Sequence, residues 1–244
     1  MKTQISVIIP AHNEENYIGR CIASVKGADE VFPGNTEIIV VCNRCKDRTE
    51  QIAKAQGARV VLNEDKCIAK VRNAGIAAAK GTVIVTMDAD NRMTKGTLRE
   101  IYALLKTGCY IGGGAPIRFE RYSFPLWCND LLCRLSFAVT GLYSGIFWAK
   151  KETFDAIGGF VEQKAMEDVG TAKRLKKYGK KQGKRYTTLK KNCLINSTRK
   201  FDELGDWLYF KLLIQNAGTL LKAAFGDTEG LDRLLDELFY EYNK

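Results

Sequence analysis

Short apolar runs alternate with amphipathic segments along the first third of the chain. The first run, from Ile5 to Pro10, is rich in β-branched residues, which is typical of a strand covered on both faces. The next segment repeats its apolar residues at helical spacing and predicts a helix, with His12 or Asn13 as its cap and Glu14 in its first turn. The chain is therefore expected to begin with a strand and a helix.

The same unit recurs before a fourth strand. Further strands are predicted at 37–42, 58–62 and 82–87, and further helices at 47–56 and 66–80. This rhythm predicts βαβ units, and hence an α/β fold with a Rossmann-type, mainly parallel sheet flanked by helices. Such sheets bind ligands beyond the carboxyl ends of their strands. Polar residues stand at all four of these ends: 11–14, 43–47, 63–65 and 88–90.

The pattern changes near the middle of the chain. A glycine-rich run at 112–116 leads into an aromatic-rich stretch over 119–148. A helix is predicted over 151–157, and a second from Glu167 to about Tyr178, with Gly179 as its C-cap. After residue 200, apolar residues at helical spacing predict a helical extension over 201–244.

Charge is concentrated in one stretch. The 244 residues carry 38 Lys and Arg against 28 Asp and Glu, a net charge of +10. Residues 164–200 hold thirteen of the cations and only two acids, so the rest of the chain is close to neutral. Such a stretch suits an anionic substrate, a membrane surface or a nucleic acid. The cations from Lys173 to Lys181 are expected mostly on the outer face of their helix.

The chain shows no signal-peptide core and no apolar run long enough to span a membrane. We therefore expect a cytoplasmic protein, and its eight cysteines are expected to be reduced thiols. Cys42 and Cys45 have C-x-x-C spacing, but no second ligand pair for zinc follows. A redox pair is expected only if Cys42 or Cys45 opens a helix, and buried thiols are the simpler interpretation.

Asp88 and Asp90 follow the fourth predicted strand directly. Two carboxylates on a tight turn can hold one divalent cation whose other ligands are phosphate oxygens. Acidic turns also serve only to satisfy backbone donors, so this D-x-D alone leaves both interpretations open.

Further motifs accompany the D-x-D. Residues 7–15 form a strand followed by P-x-x-N-E, residues 42–49 form a C-N-x-C-x-D-x-T turn, and residues 70–76 contain R-N-A-G-I. Three later segments follow these motifs: residues 145–154, I-G-G-F at 157–160 and M-E-D at 166–168. In order and spacing, over about residues 4–200, these motifs resemble the inverting, GT-A-fold nucleotide-sugar glycosyltransferases of family 2. The resemblance implies an enzyme with a nucleotide-binding half at 1–110 and an acceptor half at 111–200.

The resemblance also implies roles on the donor side. Pro10, His12 and Glu14 would contact the nucleoside, with Glu14 placed for ribose hydroxyls. In the family the turn after the second strand carries carboxylates that read the base; Cys42 and Asn43 replace them here. The Asn43 amide can still pair with an imide edge such as that of uracil, so a UDP-sugar is the preferred donor.

The remaining implied roles concern the reaction itself. Arg72 would lie near the base or the diphosphate, or would face solvent. Asp88 and Asp90 would hold Mg²⁺ or Mn²⁺ on the diphosphate, and Arg199 would meet the same group. Asp168 is the expected base for the acceptor hydroxyl. The residue expected to orient Asp168 or to bind the acceptor is Glu167.

Partners and alternatives follow from the same features. The acceptor is expected to be a glycan, a lipid-linked sugar or a small molecule. The basic helix, together with residues 207–225, is a candidate surface for peripheral binding to the inner face of an anionic membrane.

A basic nucleic-acid-binding protein lacks support, because no zinc-finger spacing or RNA-recognition strand is present. A nucleotidyltransferase of related fold and a catalytically silent relative remain open.

Overall fold

The computed structural model describes residues 4–32, 35–142, 145–162 and 167–215. Its first half contains the predicted alternation of strands and helices. The elements are β1 (Ile5–Ala11), α1 (Ile18–Asp29), β2 (Thr36–Asn43), α2 (Thr49–Ala55), β3 (Arg59–Asn63), α3 (Ile68–Ala78) and β4 (Val83–Met87). β1, β2, β3 and β4 are mutually parallel, with Ile8 opposite Ile39 on one side and opposite Thr86 on the other. The predicted βαβ units are therefore confirmed.

The second half extends the same sheet and adds a smaller one. Its elements are β5 (Arg92–Met93), α4 (Thr97–Lys106), β6 (Tyr110–Gly114), β7 (Ile117–Phe119), α5 (Phe124–Thr140), β8 (Ile146–Lys150), α6 (Lys151–Ile157), α7 (Glu167–Lys181), β9 (Arg185–Thr188), β10 (Leu194–Asn196), α8 (Arg199–Leu204) and α9 (Leu208–Gln215). In the described residues the large sheet has the order β3-β2-β1-β4-β8-β6-β9, with β8 antiparallel to both neighbours. A second sheet, β5-β10-β7, lies beside the end of β4.

The core lies on both faces of the large sheet. One apolar cluster joins the sheet to α1 and α4, and includes Ile22, Leu98 and Trp148. The other joins it to α3, α6 and α7, and includes Phe154 and Leu175. β1 is buried along its whole length, as its continuous apolar run predicts. Because both faces are covered, the open carboxyl ends of the parallel strands are the accessible edge.

Two predicted helix boundaries are wrong. α1 begins at Ile18, with Tyr17 as its N-cap and no side-chain cap, so neither His12 nor Asn13 caps it. Asn13 instead has φ 53° and accepts a hydrogen bond from the Lys46 backbone N–H (2.8 Å).

α7 continues through Gly179 to Lys181, so Gly179 is not its C-cap. Gly179 packs on β6, where a Cβ would lie only 2.6 Å from Ile111 Cγ2. This close approach, rather than helix termination, explains the glycine.

The outer face of α7 is also less uniform than predicted. Arg174 turns inward and donates hydrogen bonds to the carbonyls of Ile157 and Gly159, which hold the end of α6. Lys176 donates to the carbonyl of Thr140 (3.1 Å), at the end of α5.

No helix in the described part of the chain is long and apolar enough to cross a membrane. Residues 216–244 of the predicted extension lie outside the described residues.

Candidate active site

The polar residues predicted at the strand ends meet at the carboxyl edge of the large sheet. Asp88 and Asp90 follow β4, and Glu14 follows β1. Glu167 and Asp168 open α7, far away in sequence, yet both reach the same place. Two arginines, Arg72 and Arg199, join these acids.

Arg72 bridges the start of α7 and the D-x-D turn. Its Nη1 donates to Glu167 Oε1 (2.9 Å) and to Asp168 Oδ1 (2.8 Å), while its Nη2 donates to Asp88 Oδ1 (2.9 Å). Only 6% of its side chain is exposed, which excludes the solvent-facing interpretation. A planar guanidinium can serve two sides at once, and a lysine could not. Arg72 therefore fixes the predicted base beside one of the predicted metal ligands.

Packing around Arg72 explains two of the sequence motifs. The Asn73 side chain donates to the Phe160 carbonyl (2.9 Å) and accepts from the Phe160 N–H (2.8 Å). The Phe160 ring then lies 5.2 Å from the Arg72 guanidinium. Gly159 has φ 68°, and a Cβ there would lie 2.4 Å from Asn73 Oδ1. The R-N and I-G-G-F segments thus form one contact that holds the bridge.

Asp168, the predicted base, has a raised pKa. Burial raises its pKa to about 6, although the Arg72 charge beside it acts in the opposite direction. The negative charges of Glu167 and Asp88 add to the increase. Its side chain nevertheless remains 26% exposed, so an acceptor can reach it. A carboxylate with a pKa just below neutrality is ionised at pH 7 and is a stronger proton acceptor than an ordinary aspartate.

Arg199, the first residue of α8, forms the second cluster. Its Nη1 and Nη2 donate to the two Glu14 oxygens (2.7 and 2.9 Å), and its Nε lies 3.3 Å from Asp90 Oδ2. Its guanidinium also lies 5.0 Å from the centre of the Tyr17 ring. Arg199 therefore occupies the space between the predicted ribose-binding and metal-binding carboxylates.

The acids around Arg199 are partly buried beside that one guanidinium. Burial raises the pKa of Glu14 and of Asp90, Arg199 acts in the opposite direction on both, and the negative charge of Asp88 adds to the increase. Hard carboxylate oxygens are the donors that Mg²⁺ and Mn²⁺ prefer. Within the described residues, no three acid, His or Cys side chains surround one point. A cation here would thus take Asp88 and Asp90 as ligands, and phosphate or water oxygens for the rest, so the residues present fit such an ion.

The predicted nucleoside contacts lie at the ends of β1 and β2. Pro10 is buried within β1 and opposes Val41. His12 is exposed, and its Nδ1 lies 2.6 Å from the Asn43 carbonyl oxygen. No hydrogen bond within the described residues links Pro10, His12 or Asn43 to Arg72 or Arg199. These three residues form a separate group beside the acid clusters.

Asn43 is engaged in a way that its sequence position does not reveal. Its amide nitrogen donates to Asn63 Oδ1 (3.0 Å) and to the Asp65 carbonyl (2.7 Å), and its Oδ1 accepts from Arg44 Nε (3.3 Å). The amide thus ties the end of β2 to the end of β3. Pairing of this side chain with a base would require these bonds to open.

Two further features were missed by the sequence reasoning. Lys200 is half-buried next to Arg199; burial and the Arg199 charge lower its pKa, while Asp90 and Asp88 oppose the change. Thr49 accepts the Glu14 N–H (2.8 Å) and donates to Asp47 (2.6 Å), which holds Glu14 in position. The D-x-T part of the 42–49 motif is the signal that points to this second contact.

The chain belongs to glycosyl transferase family 2, whose profile matches residues 6–161. Among curated relatives, a dolichyl-phosphate hexose transferase of Haloferax volcanii is 29% identical over 45% of this chain and 46% of its own length. Glycosyltransferase AglE of the same organism is 28% identical over 68% of this chain and 55% of its own length. The chain thus spans about half the length of these relatives.

Solved structures support the same fold. S. aureus TarS (residues 1–349) has a TM-score of 0.64 at 19% identity and covers 86% of this chain and 66% of its own. Glucosyl-3-phosphoglycerate synthase from Mycobacterium tuberculosis has a TM-score of 0.58 at 23% identity, covering 83% and 75%. The fold is therefore GT-A, as the sequence motifs predict, and the chain carries a glycosyltransferase domain.

Proposed function

We propose that this protein transfers a sugar, with inversion, from a nucleoside-diphosphate sugar to an acceptor hydroxyl. The observation that carries the proposal is the Arg72 bridge, which holds the Asp168 carboxylate and the Asp88 carboxylate on one guanidinium. Inversion requires a base on the face of the sugar opposite the leaving diphosphate. Arg72 sets the distance between the two ends of that reaction.

On the donor side, Asp88 and Asp90 would hold Mg²⁺ or Mn²⁺. A bound divalent ion stabilises the negative charge that develops on the departing diphosphate. Arg199 and the half-buried Lys200 are cations of this chain that lie beside Asp90. Arg199 would leave Asp90 and turn its guanidinium to the diphosphate when the donor binds. Glu14, released from Arg199, would then accept hydrogen bonds from the ribose hydroxyls.

On the acceptor side, Asp168 would take the proton of the attacking hydroxyl as its oxygen bonds to the sugar C1. Its Oδ1 is held by Arg72. Glu167 shares the same guanidinium nitrogen and limits the rotation of that side chain. Asp168 is thereby oriented toward one face of the sugar, and Glu167 acts through it or on the acceptor.

A uridine diphosphate sugar is the preferred donor. S. aureus TarS has been solved with UDP-GlcNAc, and the mycobacterial synthase with UDP and Mn²⁺. A Pyrobaculum calidifontis mannosyltransferase, with a TM-score of 0.60 at 20% identity and covering 78% of this chain and 56% of its own, has been solved with GDP-Man and Mn²⁺. Because the Asn43 amide is engaged by β3, base reading would fall to backbone groups near His12 and to Arg44.

The acceptor is proposed to be a glycan or a lipid-linked sugar reached at a membrane surface. α5 and α9 expose an apolar face: Phe124 and Ile214 are 68% and 77% exposed. Phe124 stacks on Trp127 and contacts Trp207. A pocket of about 390 Å³ adjoins this face and is lined by Arg118, Tyr122, Trp127, Asp130, Leu131 and Arg134.

Charge on the same side favours an anionic surface. Arg118 and Arg134 line the pocket beside the apolar face, and Lys176 of the basic helix α7 contacts the far end of α5. Exposed aromatic rings beside cations are typical of surfaces that lie in a bilayer interface. Vesicles with anionic phospholipid should carry the protein in flotation at low salt, and a Trp127→Glu variant should float less. Absence of flotation of the unaltered protein would contradict the membrane proposal.

Nucleotide binding tests the reaction class. We expect UDP to raise the melting temperature in the presence of Mn²⁺, and GDP, dTDP and CMP to raise it less. The Asp90→Asn variant should lose the Mn²⁺-dependent part of the shift, while Asp155→Asn, on α6, serves as the matched control. A shift that survives in Asp90→Asn would contradict the assigned ligand. The absence of a melting-temperature shift with every nucleotide would favour a catalytically silent relative.

A further inference from the structure

The turn after β2 brings two cysteine thiols together. Cys42 lies near the end of β2 and is 2% exposed, whereas Cys45 is half-buried three residues later. Between them Arg44 has φ 48°, in the left-handed region, which bends the chain back on itself. Cys42 lies opposite Ala11 across β1 and β2, and the Cys45 Sγ lies 3.4 Å from the Ala11 carbonyl oxygen, so the two cysteines are side by side. No helix opens here, since α2 begins only at Thr49, so the condition expected from the sequence for a redox pair is not met.

The turn makes the two thiols chemically different. The Cys42 hydrogen bond lowers the pKa of Cys45 to about 6, with help from the Asn13 N–H and from His12 and against the effect of burial. The same contact, together with burial, raises the pKa of Cys42. A thiolate beside a protonated thiol is the arrangement that thiol–disulfide exchange requires. Local hydrogen bonds thus replace the helix N-terminus that usually activates such a pair.

Other cysteines lack this arrangement. Burial raises the pKa of Cys21 and of Cys193. Cys109 is exposed, and its thiol donates only to the nearby Thr107 carbonyl (3.7 Å). The turn is thus the site in the described structure where thiol contact and a lowered thiol pKa coincide.

We propose that Cys42 and Cys45 form a reversible disulfide by exchange with a small-molecule disulfide, and that this bond regulates donor binding. The Cys45 thiolate attacks one sulfur of the small disulfide and releases one small thiolate. The Cys42 sulfur, after losing its proton to solvent, attacks Cys45 in the mixed disulfide and releases the second. Two protein thiols are oxidised, and one small disulfide is reduced to two thiols.

The effect on donor binding rests on the proposed function and follows from what Cys45 touches. Its Sγ lies 3.4 Å from the Ala11 carbonyl oxygen, at the start of the loop that carries His12 and Glu14. That loop is also tied to this turn by the His12–Asn43 contact and by the Asn13–Lys46 hydrogen bond. A disulfide brings the two sulfurs to about 2.05 Å and withdraws Cys45 from these backbone groups. The nucleoside end of the site must then rearrange.

The test uses the whole chain and oxidised glutathione as the probe. We expect an intact mass lower by two hydrogens, a peptide that joins Cys42 to Cys45, and full reversal by dithiothreitol. UDP should bind at least about fivefold more weakly to the oxidised protein, a modest coupling between neighbouring sites. Cys109→Ser should behave like the unaltered protein.

Two variants make the inference falsifiable. Cys42→Ser should stop at a glutathione adduct on Cys45, and Cys45→Ser should resist oxidation at this turn. A stable adduct on Cys45 in the unaltered protein, or unchanged UDP affinity after the disulfide has formed, would overturn the inference. Failure of UDP to bind the reduced protein, with the disulfide still forming, would instead count against the proposed function and against the regulatory half of the inference.

Discussion

Two arginines bind the acids of the site, and they differ in their own exposure and in the elements that hold them. Arg72 stands within α3, is buried, and holds three carboxylates from two distant segments. Arg199 begins a six-residue helix, is 25% exposed, and holds Glu14 and Asp90. The D-x-D pair is thus divided, with Asp88 in the Arg72 cluster and Asp90 in the Arg199 cluster.

This difference indicates that the Arg72 cluster belongs to the framework of the site and that the Arg199 cluster belongs to its binding surface. Arg72 is fixed by Asn73, Phe160 and the packing of α3, so its carboxylates are held before any ligand arrives. Arg199 has its aromatic contact at the edge of the site and can exchange its carboxylates for phosphate oxygens. We infer that donor binding rearranges the Arg199 cluster and leaves the Arg72 cluster in place.

The largest effect is expected from breaking the Arg72 cluster. Arg72→Ala leaves three carboxylates without their common cation and should cost about 3 kcal/mol of unfolding free energy, the lower end of the usual cost for a buried ion pair, because these carboxylates are partly exposed. Transfer should become undetectable. Urea denaturation and a product assay measure the two effects. Arg72→Lys keeps the charge but cannot bridge both sides, so it should recover part of the stability and little of the activity. An Arg72→Ala variant of unchanged stability would contradict the framework role.

The pH dependence should report the same cluster through Asp168, which faces Arg72, Glu167 and Asp88. With its pKa raised to about 6, Asp168 is ionised above that pH, so transfer should fall about tenfold per pH unit below it. The unfolding free energy depends on pH in the opposite sense, because burial favours the neutral carboxyl of Asp168. The stabilising contribution of that carboxyl is present below the ordinary pKa of 3.8 and is lost as pH rises through about 6. A pH–rate profile that is flat between pH 5 and 7 would count against Asp168 as the base.

A smaller effect is expected from the Arg199 cluster. Arg199→Ala should weaken UDP binding about tenfold, or about 1.4 kcal/mol, because a diphosphate contact is lost. Its unfolding free energy should fall by much less than that of Arg72→Ala. Isothermal titration with UDP and Mn²⁺ checks the first expectation, with Arg185→Ala on β9 as the control. If the two arginine variants lost equal stability, the contrast between the clusters would fail.

The sequence predicts the framework better than the contacts made across it. β1 to β4 and α6 follow from local periodicity and glycine positions, and that local pattern is what fixes strands and helix ends. The motifs place Glu14, Asp88, Asp90 and Asp168 at strand and helix ends, and the structure brings them together. Local sequence carries these features because each depends on a few neighbouring residues.

The remaining features depend on partners far away in the chain. Arg72 pairs with residues about a hundred positions later, and the sequence offers no local sign of that contact. Asn43 is turned away from its expected use by Asn63, the last residue of the next strand, and by Asp65 just beyond it. Gly179 resembles a helix terminus but serves a close approach to Ile111. In each case a tertiary contact overrides the local pattern.

The most direct measurement of the central claim compares transfer and donor binding in Asp168→Asn. Asparagine keeps the size of the side chain and removes its ability to take a proton. We expect transfer to fall at least about a hundredfold, the usual contribution of a general base. UDP binding in the presence of Mn²⁺ should stay within about twofold of the unaltered protein, well under 1 kcal/mol. Near-normal transfer in Asp168→Asn would contradict the assignment of Asp168 as the base that Arg72 holds in place.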